Sequence, residues 1–382
     1  MSPVRTVGFY TEGPPFEGDS VERGPLGGSE TAFVEITRAM ARLGCEVTAF
    51  NNCTEPAIHR GVEYHPFRSS LPTLAKRRFD VMVVSRFFGF FNLPIKASLK
   101  VLWNHDTLEN PGALRNIQDE IDLFFVLSRF HRDNYLTRLP QLDDRMVVTR
   151  NGLNFELIDR SAEGARRDPN KLLYASRPER GLKPLLEEIW PRLKEARPGL
   201  RLHICGYTVD RANLDPQLPE LYDYLDFLAD RDPDVTVLGA LPKRDYYRHL
   251  AESAMLVYPC TFPEISCIVA LEAQALGTPI LTSDSYALSE SVAPPEFRVK
   301  GRPGGNEWIR GYVERALKLL GDPEGTARTA AKAREAIREK YSWDQVAKEW
   351  MRVFELSLRA RETRRLFVES STSQRPRDGL LV

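Results

Sequence analysis

Strand and helix signals alternate in two successive runs, separated by a polar stretch near residue 160, and this predicts an α/β chain with two parallel-sheet domains. Alternation of this kind implies a sheet covered by helices on both faces. The length of 382 residues suits two domains, each able to bury its own core.

Apolar residues make up 42% of the chain and charged residues 28%, an ordinary composition for a folded protein in water. Lys plus Arg equals Asp plus Glu at 53 each, so no global field favours nucleic acid or anionic lipid. The longest apolar run, LFFVL from Leu123, is too short to span a bilayer. The opening MSPVRTVGFY reads directly as a strand and carries no leader pattern. The five cysteines show no CxxC or Cys/His ligand spacing, which predicts a reduced cytoplasmic setting and no metal.

In the first half, a strand is predicted over Val4–Tyr10, followed by the loop TEGPPFEGDSVERGPLGGSE and a helix from about Thr31. A connection that long is usually functional or mobile. It ends in Gly27, Gly28 and Ser29. Missing side chains there let an anion approach the helix N-terminus and Ser29 can cap; a plain turn is the other reading. Further strands are expected at 46–51, 62–66 and 79–85. The four phenylalanines of SRFFGFFNLP suit core packing better than an exposed acceptor or membrane platform. A strand near 100–104 delivers His105 and Asp106 to its carboxyl end, where open α/β sheets bind ligands. After a strand at 122–128, a Ser-capped helix and a strand ending in RNGLN, the text turns polar. The domain boundary is placed between 151 and 169.

The second half repeats the pattern with strands KLLYAS, RLHICGY, VTVLGA and MLVYPC. In SRPERGLKP, Arg177 lies past the first strand and Lys183 near a helix start, an unfavourable place for a cation unless an anion sits there too. Solvated surface cations are the alternative. The stretch YPCTFPEISCIVALEAQALGTPILTSD places Glu264 in a turn, Glu272 inside a helix expected from Ser266 to Gly277, and a strand after it. Helical spacing puts Glu272 beside Ile268, Val269, Ala275 and Leu276. A buried carboxylate needs partners, and a ribose diol would serve, while the free amides of Cys267, Ile268 and Val269 suit phosphate. A half-exposed Glu272 and a loop Glu264 are the plain alternative. Helices follow near 306–320, 325–340 and 342–360, the last anchored by Trp343, and then a charged, Ser-rich tail.

Taken in order, Gly27-Gly28, His105-Asp106, Asn151-Gly152, Arg177 with Lys183, and Glu264 with Glu272 resemble a family 4 retaining glycosyltransferase, over nearly the whole chain to about residue 360. That family has the GT-B architecture, two Rossmann-like domains with parallel sheets facing a central cleft. The resemblance implies an acceptor-side domain over 1–155, a nucleotide-sugar-binding domain over 168–340, a closing helix at 341–360 that packs back on the first domain, and a flexible tail over 361–382. Arg177 and Lys183 would hold the donor diphosphate, Glu272 the ribose, and Glu264 the sugar hydroxyls. Backbone at Cys267, Ile268 and Val269 would meet phosphate or sugar, and backbone near Leu241 the base. Gly27 and Gly28 would approach the diphosphate, and His105 the reacting sugar. The implied reaction moves a sugar from a UDP- or GDP-type donor to a hydroxyl of a glycan, lipid-linked or small-molecule acceptor, with no metal and no cofactor. Partners would be the nucleotide sugar and its acceptor, with no nucleic acid and at most peripheral membrane contact. Cys267 departs from the glycine that members often carry. A non-catalytic scaffold subunit and a GT-B nucleotide-sugar epimerase are the alternatives. A dinucleotide oxidoreductase is disfavoured because no GxGxxG follows the first strand.

Overall fold

The computed structural model describes residues 4–206 and 218–373, with side chains as far as residue 363. The last residue of the predicted RLHICGY strand and the tail over 374–382 lie outside that range.

The first sheet holds β1 (Thr6–Tyr10), β2 (Glu46–Asn51), β3 (Ala57–His59), β4 (Val62–Pro66), β5 (Phe79–Ser85), β6 (Ala97–Trp103), β7 (Leu123–Val126) and β8 (Met146–Val148). Its order is β3-β4-β2-β1-β5-β6-β7-β8, parallel except for β3. The second sheet holds β9 (Asp168–Ala175), β10 (Arg201–Cys205), β11 (Val235–Gly239), β12 (Ser253–Tyr258), β13 (Ile280–Ser283) and β14 (Arg298–Val299). Its order is β11-β10-β9-β12-β13-β14, and every pairing is parallel. The α/β class with two parallel-sheet domains is therefore the observed one. Two short strands were missing from the sequence reading. Three and two residues, at Ala57–His59 and Arg298–Val299, are too few to show a period.

Each sheet is buried on both faces, as strands without a wet side require. One apolar cluster surrounds the second sheet, and two flank the first. Trp343, Val346, Trp350 and Phe354 of the last helix, Trp343–Ser373, belong to a first-domain cluster. Trp350 meets Trp103 and Phe125 edge-on, at 5.0 and 4.9 Å, and its indole N–H donates to Thr149 Oγ1 at 2.7 Å. Beyond Ala360 the helix continues instead of giving way to a tail. Arg361 bonds the Asp122 carboxylate and the Ser98 carbonyl, which ties the extension to the first sheet.

The chain crosses between domains beside the start of that helix. A Cβ on Gly152 would fall 2.6 Å from the Trp343 ring and 2.9 Å from its Cα, so glycine is required by close approach. Leu153 N donates to Tyr341 O at 2.6 Å, holding the two crossings together. The polar boundary stretch contains an unexpected helix, Phe155–Ala162, capped by the Asn154 side chain on Leu157 N. Phe155, Leu157 and Ile158 give it an apolar face, but at eight residues the helix is too short for that face to stand out within a polar stretch.

The long loop after β1 is neither structureless nor loose. It contains the short helix Ser20–Arg23, and Phe16 and Val21 are buried. Buried Arg38 donates to both carboxylate oxygens of Glu22 (2.8 and 2.9 Å) and to Gly18 O (2.7 Å), while Asn51 Nδ2 donates to Phe16 O. The phenylalanine cluster is mainly core, with Phe90 and Phe91 buried and Phe90 stacked on Tyr10 at 3.6 Å.

Truncation of Trp350 to Ala should cost about 3–5 kcal/mol, since an aromatic cavity opens between the last helix and the first sheet. Chemical denaturation followed by near-ultraviolet circular dichroism reads this. A loss below about 1 kcal/mol would mean that the helix contributes little to the first domain.

Candidate functional site

β9, β10 and β11 end side by side at Ala175, Cys205 and Gly239, and a crevice opens at these carboxyl ends. Its floor includes Leu241, Lys243, Val269 and Glu272 of the second domain, and Pro25 and Leu26 of the first domain close it from across the cleft.

Glu272 is only 1% exposed. Its Oε1 accepts from Lys243 Nζ at 2.5 Å and from the Tyr247 hydroxyl at 2.9 Å, whereas Oε2 is buried without a hydrogen-bond partner. Burial, reinforced by the Glu272 charge, pushes the Tyr247 phenol well above its ordinary 10, so it acts as a donor. The helix carrying Glu272 spans Ile268–Ala275 with Cys267 at its N-cap, one turn shorter than the sequence reading. Its first-turn amides have no intrahelical acceptors. Across the cleft, the Gly28–Arg42 helix begins with Gly27 at the N-cap. The Ser29 hydroxyl bonds Glu30 Oε1 (2.9 Å) and does not cap. A Cβ on Gly28 would lie 3.2 Å from Ile268 Cδ1, so the N-termini of these two helices meet.

Glu264 is also buried, with Oε1 taken by the Tyr258 hydroxyl (2.6 Å) and Arg180 Nη1 (3.0 Å). The Arg180 guanidinium lies 4.4 Å from the Phe262 ring. Gly181 positions it: with φ of 147° and a would-be Cβ 2.4 Å from Pro259 O, only glycine lets this turn lie against the segment that follows β12. Thr261 N then donates to Arg180 O at 3.1 Å.

The two cations singled out in the sequence are placed otherwise. Arg177 Nε lies 2.7 Å from Glu179 Oε1, and Lys183, half exposed, faces Glu187 at 4.0 Å and the Tyr224 ring at 6.0 Å. The structure does not bring Lys183 to the Ile268 helix. Arg180, three residues earlier, stands beside Glu264 instead. Within the helical run that opens at Leu182, Lys183 is turned toward the Leu218–Asp230 helix, which spacing along the chain could not reveal.

On the first domain, His105 packs its ring 4.2 Å from Trp103, and its Nε2 is buried without a partner. Burial, and then the charges of Arg86 and His131, hold its pKa well below 6.5, so the imidazole is neutral. Arg86 follows β5 in a left-handed backbone conformation (φ 68°) and pairs with Asp106 at 2.7 and 3.2 Å. His131 fixes the same loop, donating from Nε2 to Asp106 O (2.9 Å) and accepting Leu127 N–H at Nδ1. Asn151 Nδ2 donates to Ser266 Oγ at 3.1 Å, joining the crossover to the turn before the Ile268 helix. Among the described residues no group of three or more His, Cys, Asp or Glu side chains is arranged to hold a metal.

Lys243, Tyr247, Arg180, Tyr258 and Arg86 were not identified from the sequence. The spacing of Lys243 and Tyr247 places them on one helix face, but their common partner, Glu272, sits on a different helix.

Burial pushes the His131 pKa down to about 4 from 6.5. A base depressed in the folded state favours folding fully above pH 6.5 and loses that contribution as pH falls toward 4, at most about 3 kcal/mol. Denaturation midpoints between pH 7.5 and 4 should therefore drop more steeply in the native protein than in His131→Gln. Parallel pH profiles would exclude His131 as a source of the acid sensitivity.

Residues 169–320 match the family model described as Glycosyl transferases group 1. Over 210 residues the chain is 28% identical to glycogen synthase of Mycobacterium tuberculosis, covering 53% of this chain and 46% of that one. Over 234 residues it is 26% identical to a lipopolysaccharide 1,2-N-acetylglucosaminetransferase of Salmonella typhimurium, covering 58% and 59%. The chain thus spans about half the length of the curated relatives it matches. Sucrose-phosphate synthase from Thermosynechococcus elongatus superposes with a TM-score of 0.71 at 14% identity, covering 93% of this chain and 100% of that one. Anabaena HepE in complex with UDP and glucose superposes with a TM-score of 0.67 at 15% identity, covering 92% and 99%. With both domains aligned to such structures, the chain has the GT-B fold, and it is within its second domain, over residues 169–320, that it matches the glycosyl transferases group 1 model.

Proposed function

We propose that the chain is a glycosyltransferase that moves a hexosyl group from a nucleoside-diphosphate sugar to an acceptor hydroxyl, with retention and without a metal. The observation that carries this is the meeting of two helix N-termini, at Gly28 and Ile268, beside a buried carboxylate with one open oxygen. Each helix end presents amide N–H groups and a partial positive charge, and the pair suits a diphosphate lying between them. Glu272 Oε2 suits a ribose hydroxyl, and the backbone near Leu241 borders the place of the base. The matched family and the relatives named for sugar transfer support the same reaction class.

In the reaction proposed, the bond from the anomeric carbon to the diphosphate oxygen breaks as the acceptor oxygen bonds that carbon on the same face. The acceptor proton passes to the departing phosphate oxygen. Negative charge grows on the leaving group, where preorganised amides and a guanidinium lower the barrier without a nucleophile from the protein. Arg180 is a cation held near this place through Glu264, and Arg177 joins it if a phosphate displaces Glu179. Lys183 is not assigned to the diphosphate, given its position beside Tyr224. Neutral His105, with an open Nε2 on the acceptor-side domain, is assigned to a sugar hydroxyl.

A thermal-shift screen with UDP, GDP, dTDP, ADP and CMP, alone and as their sugars, tests the donor class. Selective stabilisation by one diphosphate family supports the proposal, through the mass-action link between ligand and folding. No shift with any of them removes it. With the donor known, Arg180→Ala should lower turnover by about 10²- to 10³-fold, the usual loss for one preorganised group. Wild-type turnover would sink the role of Arg180. Activity should survive EDTA, and its complete loss would overturn the metal-free mechanism.

A further inference from the structure

We propose that Lys243 and Tyr247 are positioning residues that make the crevice selective for a ribonucleotide over a deoxyribonucleotide. This rests on the crevice being a nucleoside-diphosphate site. A carboxylate as buried as Glu272 is costly without a counter-charge and hydrogen-bond donors. Lys243 Nζ supplies the counter-charge at 2.5 Å, and the Tyr247 hydroxyl a second donor at 2.9 Å. Both fall on Oε1. A carboxylate oxygen has roughly two acceptor sites, so Oε1 is filled and the remaining capacity is on Oε2.

The donors come from one face of the Lys243–Glu252 helix, four residues apart. The Lys243 ammonium lies 5.3 and 5.4 Å from the Tyr246 and Tyr247 ring centroids, which further fixes its reach. Two donors from a neighbouring helix therefore set the rotation of the Glu272 carboxyl group. They leave Oε2, buried and without a hydrogen-bond partner, as the acceptor still unfilled on a residue that lines the crevice alongside Leu241 and Val269. An acceptor so placed rewards a ligand that brings a hydroxyl. A deoxy ligand leaves it buried and unpaired, the arrangement that discriminates most sharply between a hydroxyl and its absence. Without Lys243 the carboxyl group loses its counter-charge and one of the two donors that fix its rotation. Selectivity should then fall more than binding of the deoxy ligand.

Titration calorimetry of the full chain with UDP, GDP and ADP, and with their 2′-deoxy and 3′-deoxy counterparts, tests this. In the native protein the ribonucleotide that binds should be preferred over at least one deoxy form by about tenfold or more, as expected for a hydrogen bond to a charged group. Lys243→Met should bring that ratio close to one, the ribo form losing more affinity than the deoxy form. Tyr247→Phe, which keeps the ring and its packing, should reduce the ratio severalfold and serves if Lys243→Met does not fold. A ratio unchanged in the folded variants overturns the proposal, as does a native protein that binds ribo and deoxy forms equally. A native protein that binds none of the diphosphates instead removes the nucleotide reading of the crevice. The two failures are thus separate.

Discussion

Two helices with their positive ends together are the constraint on which the rest of this structure depends. Gly28 and Ile268 each begin a helix, on different domains, and they approach until a single methyl on Gly28 would be crowded. Like ends repel, each carrying roughly half a positive charge, so the approach must be held by contacts elsewhere. Those contacts lie on both sides of it. On one, Asn151 reaches Ser266, Asn154 Nδ2 reaches Glu35 Oε1 at 2.9 Å, and the crossover packs on Trp343. On the other, Glu290 accepts the Arg129 and Phe130 amides at 3.0 and 2.9 Å, while Phe130 packs against Tyr286. Glu290 thereby caps a helix of the opposite domain, using attraction at one helix N-terminus to offset repulsion at another pair.

Buried ionic groups follow the same logic within the domains. Glu264 with Arg180 and Glu272 with Lys243 join elements distant in the chain, and Arg38 with Glu22 joins two successive helices. Such pairs add little net stability, because desolvation consumes most of the attraction, but loss of one partner leaves an expensive buried charge. Their effect is on position. Arg180 is held where Gly181 lets its turn touch Pro259, and Glu272 is held by two donors that both fall on one of its oxygens. Apolar packing supplies the cores, and the charged pairs determine which way the polar groups at the cleft point.

Most of the fold was legible because its signals are local. Strands such as β5 and β12 are short apolar runs next to turn residues, and the Gly28–Arg42 helix has a clear apolar face, so alternation alone identified two parallel-sheet domains. Burial of Glu272 was readable for the same reason, since its helical neighbours are apolar. What could not be read is pairing across the chain. The match of Glu272 to Lys243 spans 29 residues and that of Arg180 to Glu264 spans 84, and no period connects them. Lys183 illustrates the converse. Its distance along the chain from Arg177 suggested a shared phosphate, yet the turn at Gly181 sends the two side chains to different neighbours, Glu179 and Glu187. The long loop before Gly27 misled through its composition. Gly and Pro are frequent in it, but Phe16, Val21 and the carbonyls taken by Arg38 and Asn51 fix it to the core.

That fixation bears on how the cleft can change shape. A loose segment over residues 11–27 could act as a lid, admitting ligand by folding back from the crevice. Instead Pro25 and Leu26, which close the crevice, continue from a short helix clamped by Arg38, and the clamp sits on the same helix whose N-terminus faces Ile268. The wall and the helix are therefore tied to each other and to the first sheet. Covalent links between the domains are confined to the neighbouring crossings at Gly152 and Tyr341, which are hydrogen-bonded to each other and packed on Trp343. Any widening of the crevice has to turn about that edge, and it has to release the Glu290 cap and the Phe130–Tyr286 contact on the opposite side. Access to the Glu272 oxygen is in this way tied to the separation of the two helix N-termini, because both are carried by the same pair of rigid domains.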